Sequence, residues 1–288
     1  MSLCNKCPNQ CNIDRNKAVG YCGVKNDIKL ARAGLHFGEE PCISGINGSG
    51  TVFFSGCSLK CVFCQNYDIS HNAFGKYVSE EEFINIIRTL ENSGAHNINL
   101  VTPSHYFCSI KQALSKYRPN VPLVYNSSGY DNIENIKENL FDIYLFDLKY
   151  FSREKSKRYS NCENYFEVAS AVIKMACDIV GPPVFDDNGL LKRGVVVRHL
   201  ILPCSTNDSI NIINWLNQNA PNIVFSLMAQ YVPMYQTELY SEINRKITKR
   251  EYNKVMSKCY ECNFTEMYAQ DLSSATIEFI PKFDLTGL

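Results

Sequence analysis

The sequence predicts an α/β fold: a partly open (βα)6 arrangement, or partial TIM-like barrel, with a small N-terminal cysteine-rich, metal-binding region. Three observations predict it. Apolar runs and amphipathic segments alternate six times from residue 51 onward. Most of the apolar runs are continuous rather than alternating, as expected for parallel strands buried on both faces. Four of the 14 cysteines crowd into the first 22 residues, where apolar content is low.

The strand candidates are Thr51–Ser55, Ile98–Thr102, Leu123–Asn126, Ile143–Asp147, Val195–Leu202 and Val224–Gln230. Helices are expected between them. Ser79-Glu80-Glu81-Glu82 is a capping box, Phe83, Ile86, Ile87 and Leu90 follow at helical spacing, and Gly94 ends the segment. Ile110, Ala113, Leu114 and Tyr117 make a second stripe, stopped by Pro119, and Ile133, Ile136 and Leu140 a third. Residues 163–180 and 206–219 read as the fourth and fifth helices. Thr248-Lys249-Arg250-Glu251 opens a sixth, with Tyr252, Val255, Met256 and Cys259 on one face. Such alternation implies a parallel sheet with right-handed crossovers. Six units fall short of the eight that close a barrel.

The expected organisation is a cysteine-rich region over residues 1–48, the partial barrel over 49–235, and a C-terminal helix and tail over 236–288 packing on it. Gly45-Ile46-Asn47-Gly48-Ser49-Gly50 closes the first region. It precedes a strand and lacks a Gly-Lys-Ser/Thr end, so it reads as a turn rather than a phosphate loop. Residues 181–193 read as an exposed excursion with Asp187-Asn188-Gly189 at its tip.

Lys+Arg and Asp+Glu both number 29, so the formal net charge is zero. This gives no electrostatic reason to expect nucleic acid or an anionic membrane as partner. No apolar run is long enough to span a bilayer. The first residues lack the charged-then-apolar pattern of a secretory signal, so a reducing cytoplasm is the expected setting and metal or cluster ligation the expected use of the cysteines.

Cys57, Cys61 and Cys64 stand at C-x3-C-x2-C spacing directly after the first strand candidate. Active sites on such sheets lie at the C-terminal strand ends, so the trio falls on the functional rim. Three thiolates can bind three corners of a cubic iron–sulfur cluster, which leaves the fourth iron open to a ligand. The alternative is a zinc site completed by His71. Cys4, Cys7, Cys11 and Cys22 read C-x2-C-x3-C-x10-C, a set that suits zinc or a fully ligated 4Fe–4S cluster. Cys259 and Cys262 make a C-x2-C, readable as a redox pair or as small buried hydrophobes. Cys42, Cys108, Cys162, Cys177 and Cys204 are isolated.

The trio, with Phe63 before its last cysteine, resembles the motif of the radical S-adenosylmethionine (SAM) superfamily. The resemblance implies a 4Fe–4S cluster on Cys57, Cys61 and Cys64, with SAM chelated at the open iron and Phe63 near the adenine. It implies one-electron cleavage of the sulfonium bond to a 5′-deoxyadenosyl radical, which abstracts a hydrogen atom from the substrate, and a flavodoxin or ferredoxin as electron donor. Further stretches span nearly the whole chain: Gly38-Glu39-Glu40-Pro41, Phe54-Ser55-Gly56-Cys57, Tyr125-Asn126, Asp147-Leu148-Lys149-Tyr150, Arg198-His199-Leu200 and Gln230-Tyr231. They resemble a branch named after pyruvate formate-lyase activating enzyme. This second resemblance implies that the substrate is a glycine of a partner glycyl radical enzyme. Other substrates in view are a peptide, an RNA base or a small molecule, and the non-enzymatic alternative is a zinc-stabilised binding protein.

The same resemblance implies that the loop Asn126-Ser127-Ser128-Gly129 lies near the methionine and ribose of SAM. It implies that Asp147 and Lys149 position SAM, the lysine balancing its carboxylate; an ordinary rim ion pair is the alternative. Arg198 lies within an apolar strand and needs an anionic partner, which the SAM carboxylate can provide. Thr102, Ser104 and His105 either contact the SAM amino group or merely turn the chain and cap a helix. His199 should face away from Arg198. Gln230 and Tyr231 line the opening, or Tyr231 plugs the barrel.

Overall fold

The computed structural model describes residues 3–264, 266–278 and 280–288. The strands are β1 (Lys29–His36), β2 (Ser49–Phe54), β3 (Lys76–Tyr77), β4 (Ile98–Val101), β5 (Leu123–Ser127), β6 (Ile143–Asp147), β7 (Val184–Phe185), β8 (Leu191–Leu200), β9 (Val224–Met228) and β10 (Glu266–Ala269). The helices are α1 (Pro41–Ser44), α2 (Tyr67–Ser70), α3 (Glu80–Asn92), α4 (Phe107–Lys116), α5 (Ile133–Lys137), α6 (Arg153–Ser160), α7 (Tyr165–Val180), α8 (Thr206–Asn219) and α9 (Lys249–Tyr260).

The sheet runs in the order β10-β9-β8-β6-β5-β4-β2-β1-β3. From β2 to β10 the neighbours on that path are parallel. Among the described residues its two end strands, β3 and β10, do not pair with each other, so the curved sheet stays open. All six expected strands are present, and the fold is the expected α/β partial barrel.

Two further strands extend the sheet. β1 pairs antiparallel with β2 through a register irregularity between Leu30 and Arg32. Its alternating charged and small residues hid it within the stretch read as cysteine-rich. β10 pairs parallel with β9, and its four residues are too few to show a period. The excursion at 181–193 is a hairpin, β7 against β8. The Asp186 carboxylate accepts from the Asn188 and Leu190 amides and holds its turn. An additional helix, α6, is capped by Ser152, whose hydroxyl accepts the Lys155 N–H.

Side chains along the central strands face two apolar layers, as strand alternation requires. Tyr144 and Phe146 of β6 pack toward the helices. Ile143 and Leu145 face inward with Val124, Val196 and Val224, against Cys42 and Ile43 of α1. Helix α1, opened by Pro41 at its first position, therefore closes the base of the barrel. The segment just before it carries Glu39 and Glu40 into the interior.

Leu145 is fully buried. Leu145→Ala is expected to cost about 2–5 kcal/mol, read as a lower urea midpoint at unchanged slope. A loss below about 0.5 kcal/mol, the range of exposed sites, would contradict its inward placement.

Candidate active site

The Cys57–Cys64 loop leaves β2 through Gly56, whose φ is +86°. A β-carbon there would lie 2.7 Å from the Cys22 carbonyl oxygen, so the turn requires glycine. The loop is fastened on several sides. Gly56 N–H donates to Ile69 O (2.7 Å), Cys57 N–H to Cys22 O (3.2 Å), and Val62 N–H to Tyr159 O (2.9 Å).

Each sulfur of the trio meets a donor. Leu59 N–H points at Cys57 Sγ (3.4 Å), the Ser160 hydroxyl donates to Cys61 Sγ (2.9 Å), and the Ser70 hydroxyl lies 3.1 Å from Cys64 Sγ. Burial pushes the Cys57 thiol up to about 12 and Cys61 up to about 11, and raises Cys64 as well. Buried thiols of this kind ionise only with a cation to hold them, while donors aimed at sulfur favour the thiolate. The residues present therefore fit a metal–sulfur cluster. Among the described residues no three His, Cys, Asp or Glu side chains gather as ligands of a single ion. His71, the fourth ligand of the zinc alternative, is instead engaged by the Ser70 hydroxyl (2.9 Å) and the Tyr235 ring.

The trio borders a cavity of about 430 Å³ that reaches from the rim into the barrel and is also lined by Phe63, Asn126, Ser128, Asp147, Lys149 and Arg198. A more open hollow of about 530 Å³ at Lys155, Cys204 and Lys254 shares none of these residues. Phe63 packs edge-on against Tyr150 and Tyr231. Tyr231 is buried and donates to Ile243 O (2.7 Å), and it lines the cavity together with Gln230.

Arg198 finds its anions within the chain. Nε donates to Asp147 Oδ1 (2.7 Å), Nη1 to Glu39 Oε2 (2.7 Å) and Nη2 to Asn126 Oδ1 (3.0 Å). Asn126 and Asn99 both donate to Glu39 Oε1 (3.2 and 3.1 Å). Arg198 also lines the cavity, and two side-chain carboxylates already balance its charge. Glu39, whose doublet with Glu40 stood in the sequence without an assigned role, lies 159 positions from the Arg198 it pairs with. The doublet Glu39-Glu40 ahead of a helix-opening proline was the available signal. Glu40 is buried among these groups, and burial raises its carboxyl toward the neutral form.

Lys149 Nζ bonds Asp147 Oδ2 (2.8 Å) and has no other side-chain or carbonyl partner among the described residues. It faces the cavity with N–H groups to spare, so it is the cation placed to meet a ligand carboxylate. Burial raises the Asp147 carboxyl, but Arg198 and Lys149 outweigh this and hold it at about 2. The Tyr165 hydroxyl accepts the Lys149 backbone N–H (2.9 Å) and lies within reach of the Ser128 and Asp147 carbonyls, which ties the two loops together.

Ser104 does not line the cavity. It is buried with its hydroxyl toward the Asp131 carboxyl, which also binds Tyr125. The expected cofactor contact is corrected accordingly. Thr102, two residues earlier at φ +63°, lines the cavity instead. His105 holds Ser55 O through Nε2 (2.9 Å) and supports the β2 end. His199 faces away from Arg198, as expected, onto Leu148 O (2.7 Å) and Ser209 (2.8 Å). Cys259 is buried on α9, and Cys262 lies just past the helix end.

Fold and site together define an open βα-barrel protein with three thiols, Cys61 buried and Cys57 and Cys64 half-buried, at the mouth of a cavity whose far wall is a neutralised charge network. Comparison with known proteins is consistent with this. Residues 51–195 match the model of the radical SAM superfamily. An uncharacterized protein of Methanocaldococcus jannaschii is 31% identical over 282 residues, covering 92% of this chain and 76% of the relative. The chain belongs to the radical SAM superfamily. Among solved structures, SuiB of Streptococcus suis bound to the precursor peptide SuiA is similar in fold, with a TM-score of 0.52 and 15% identity. That likeness covers 76% of this chain and 48% of SuiB, so the chain spans about half the length of that neighbour. TYW1 with a bound lysine–pyruvate adduct has a TM-score of 0.50 at 10% identity, covering 78% of each chain.

The Asp147 carboxyl lies below its unfolded value of 3.8, so its pairing stabilises the fold fully above that pH. The contribution is lost as pH falls through about 2. Asp147→Asn is expected to destabilise the metal-free protein by about 1.5–3 kcal/mol at neutral pH. Urea titrations at decreasing pH should show the gap from wild type closing in that acid window, and a gap that stays constant would count against the pairing.

Proposed function

We propose that the protein binds a 4Fe–4S cluster at Cys57, Cys61 and Cys64 and cleaves SAM reductively to abstract a hydrogen atom from a substrate. The observation that carries this reading is the trio itself: one buried and two half-buried sulfurs, each facing a donor, on the rim of a cavity that also holds Lys149. When bound, the cluster and SAM supply the one-electron cleavage and the hydrogen-abstracting radical. The protein's own residues bind and orient. Lys149 pairs with the carboxylate of SAM, Phe63 flanks the adenine, and Asn126 and Ser128 border the methionine and ribose. Asp147 fixes Lys149, and Arg198 fixes Asp147. The buried aromatic groups around Phe63 keep water from the reacting end of the cavity.

For the substrate, we propose a glycine in a partner protein, converted to a glycyl radical, with a flavodoxin or ferredoxin as electron source and the cytoplasm as setting. The stretches shared with the activase branch support this reading. A second reading, modification of another peptide, is favoured by the fold likeness to SuiB, which was solved with a precursor peptide.

Anaerobically reconstituted protein, reduced and mixed with SAM, is expected to release 5′-deoxyadenosine. Cys61→Ala should abolish release. Lys149→Met should weaken SAM binding about 10-fold or more, the value of one charged hydrogen bond. Protein that loads iron at the trio yet releases no 5′-deoxyadenosine would refute the reading. A glycyl doublet in paramagnetic resonance on mixing with a candidate glycyl radical enzyme separates the two substrates, since peptide modification produces none.

A further inference from the structure

We propose that Cys4, Cys7, Cys11 and Cys22 hold a second four-iron cluster, which passes an electron to the Cys57–Cys61–Cys64 centre. The relay rests on the function proposed above, whereas the cluster itself does not.

The fold gathers the four sulfurs. A β-carbon on Gly20 would lie 3.4 Å from Cys22 Sγ and 3.6 Å from Cys11 Sγ, so both border one small space. Cys7 is near enough to Cys22, Cys11 and Cys4 to interact electrostatically with all three. Cys4, Cys7 and Cys22 are buried. Tyr21 N–H donates to Cys11 Sγ (3.2 Å) and the Asn9 amide points at Cys7 Sγ (3.8 Å). Sulfur in a neutral thiol is a weak acceptor, so such donors suit thiolates.

Arg15 is the independent sign of negative charge here. It is 4% exposed, and its guanidinium donates to the carbonyls of Val24, Lys25 and His105. Among the described residues no carboxylate lies within ion-pair distance of it. A buried cation without an acid is costly unless another anion is present. Arg15 Cδ borders the same Gly20 space as the Cys11 and Cys22 sulfurs. Four thiolates on a metal centre carry the charge that balances it. A cubane gives each of four thiolates its own iron and leaves the centre fully ligated.

This set abuts the catalytic loop. Cys22 O accepts the Cys57 N–H, so one hydrogen bond joins a ligand residue of one centre to a ligand residue of the other. Asn9 Nδ2 adds a bond to Ser58 O (2.7 Å). Arg15 grips His105, which in turn holds Ser55. A one-electron carrier of the flavodoxin or ferredoxin class gives one electron to the outer cluster. The outer cluster returns to its oxidised state as it reduces the inner one, and no atom or proton moves.

The test begins with Cys57→Ala/Cys61→Ala/Cys64→Ala, which removes the inner ligands only. After anaerobic reconstitution this protein should bind about four irons and no zinc, and give a reduced-cluster paramagnetic signal that SAM does not alter. One zinc, or no metal, would overturn the cluster. Cys7→Ser/Cys11→Ser should keep a SAM-responsive cluster and cleave SAM at wild-type rate with dithionite, yet be reduced at least 10-fold more slowly by a flavodoxin-type protein. Equal reduction rates would overturn the relay. Should that variant fail to fold, Arg15→Met decides. Loss of its positive charge should lower the potential of the outer signal and slow protein-driven reduction, and no change in either would overturn the relay. If wild type cleaves no SAM while the triple variant still carries four irons, the proposed function fails and the second cluster stands.

Discussion

A largely buried guanidinium must be compensated, and much of the interior is arranged around that requirement. Arg198 projects from β8 into the barrel, where a lone cation would carry a desolvation cost of several kcal/mol. Its compensation comes from three other segments: Asp147 at the end of β6, Asn126 on β5 and Glu39 from the connection between β1 and α1. The same interaction draws the chain between β1 and α1 up into the barrel floor. With Lys149 on Asp147, two cations face two carboxylates, and the nearby Glu40 is driven toward its neutral form. The wall is neutral overall but strongly dipolar, a surface suited to a zwitterion carrying an amino and a carboxylate group.

The cysteine rim follows a different rule. There the protein buries sulfur and supplies hydrogen bonds to it from Leu59, Ser70 and Ser160. These donors come from the loop itself, from α2 and from α6. The shape of the loop thus depends on elements far apart in sequence, and the N-terminal region closes its outer side at Gly56 and Cys57. Burial disfavours free thiolates, so these cysteines are poorly suited to acid–base chemistry.

The barrel's own side chains also supply rigidity. Tyr165 of α7 binds the loops after β5 and β6 through one hydroxyl. His105 and His199, which look like catalytic candidates in isolation, fasten Ser55 and Leu148 respectively. Burial lowers both imidazoles, His105 to about 3, in keeping with neutral rings used as fixed hydrogen-bonding groups.

The sequence by itself determined the parallel strands, the capping boxes at Ser79 and Thr248, the inward face of β8 at Arg198, and the placement of Cys57, Cys61 and Cys64 on the C-terminal rim. All of these are local: they depend on side-chain period, on cap chemistry or on spacing within one loop. Tertiary structure alone decided which anions Arg198 uses, that Lys149 faces the cavity with N–H groups to spare, and that Ser104 turns to Asp131 while Thr102 reaches the cavity. It also recruited β1 and β10 into the sheet. Their sequences are too mixed or too short to show a period, and they gain strand geometry only by pairing with β2 and β9. Partner choice for a buried charge, or for an unpaired strand edge, is set by whatever the closed chain brings within hydrogen-bonding distance, and no local pattern encodes it.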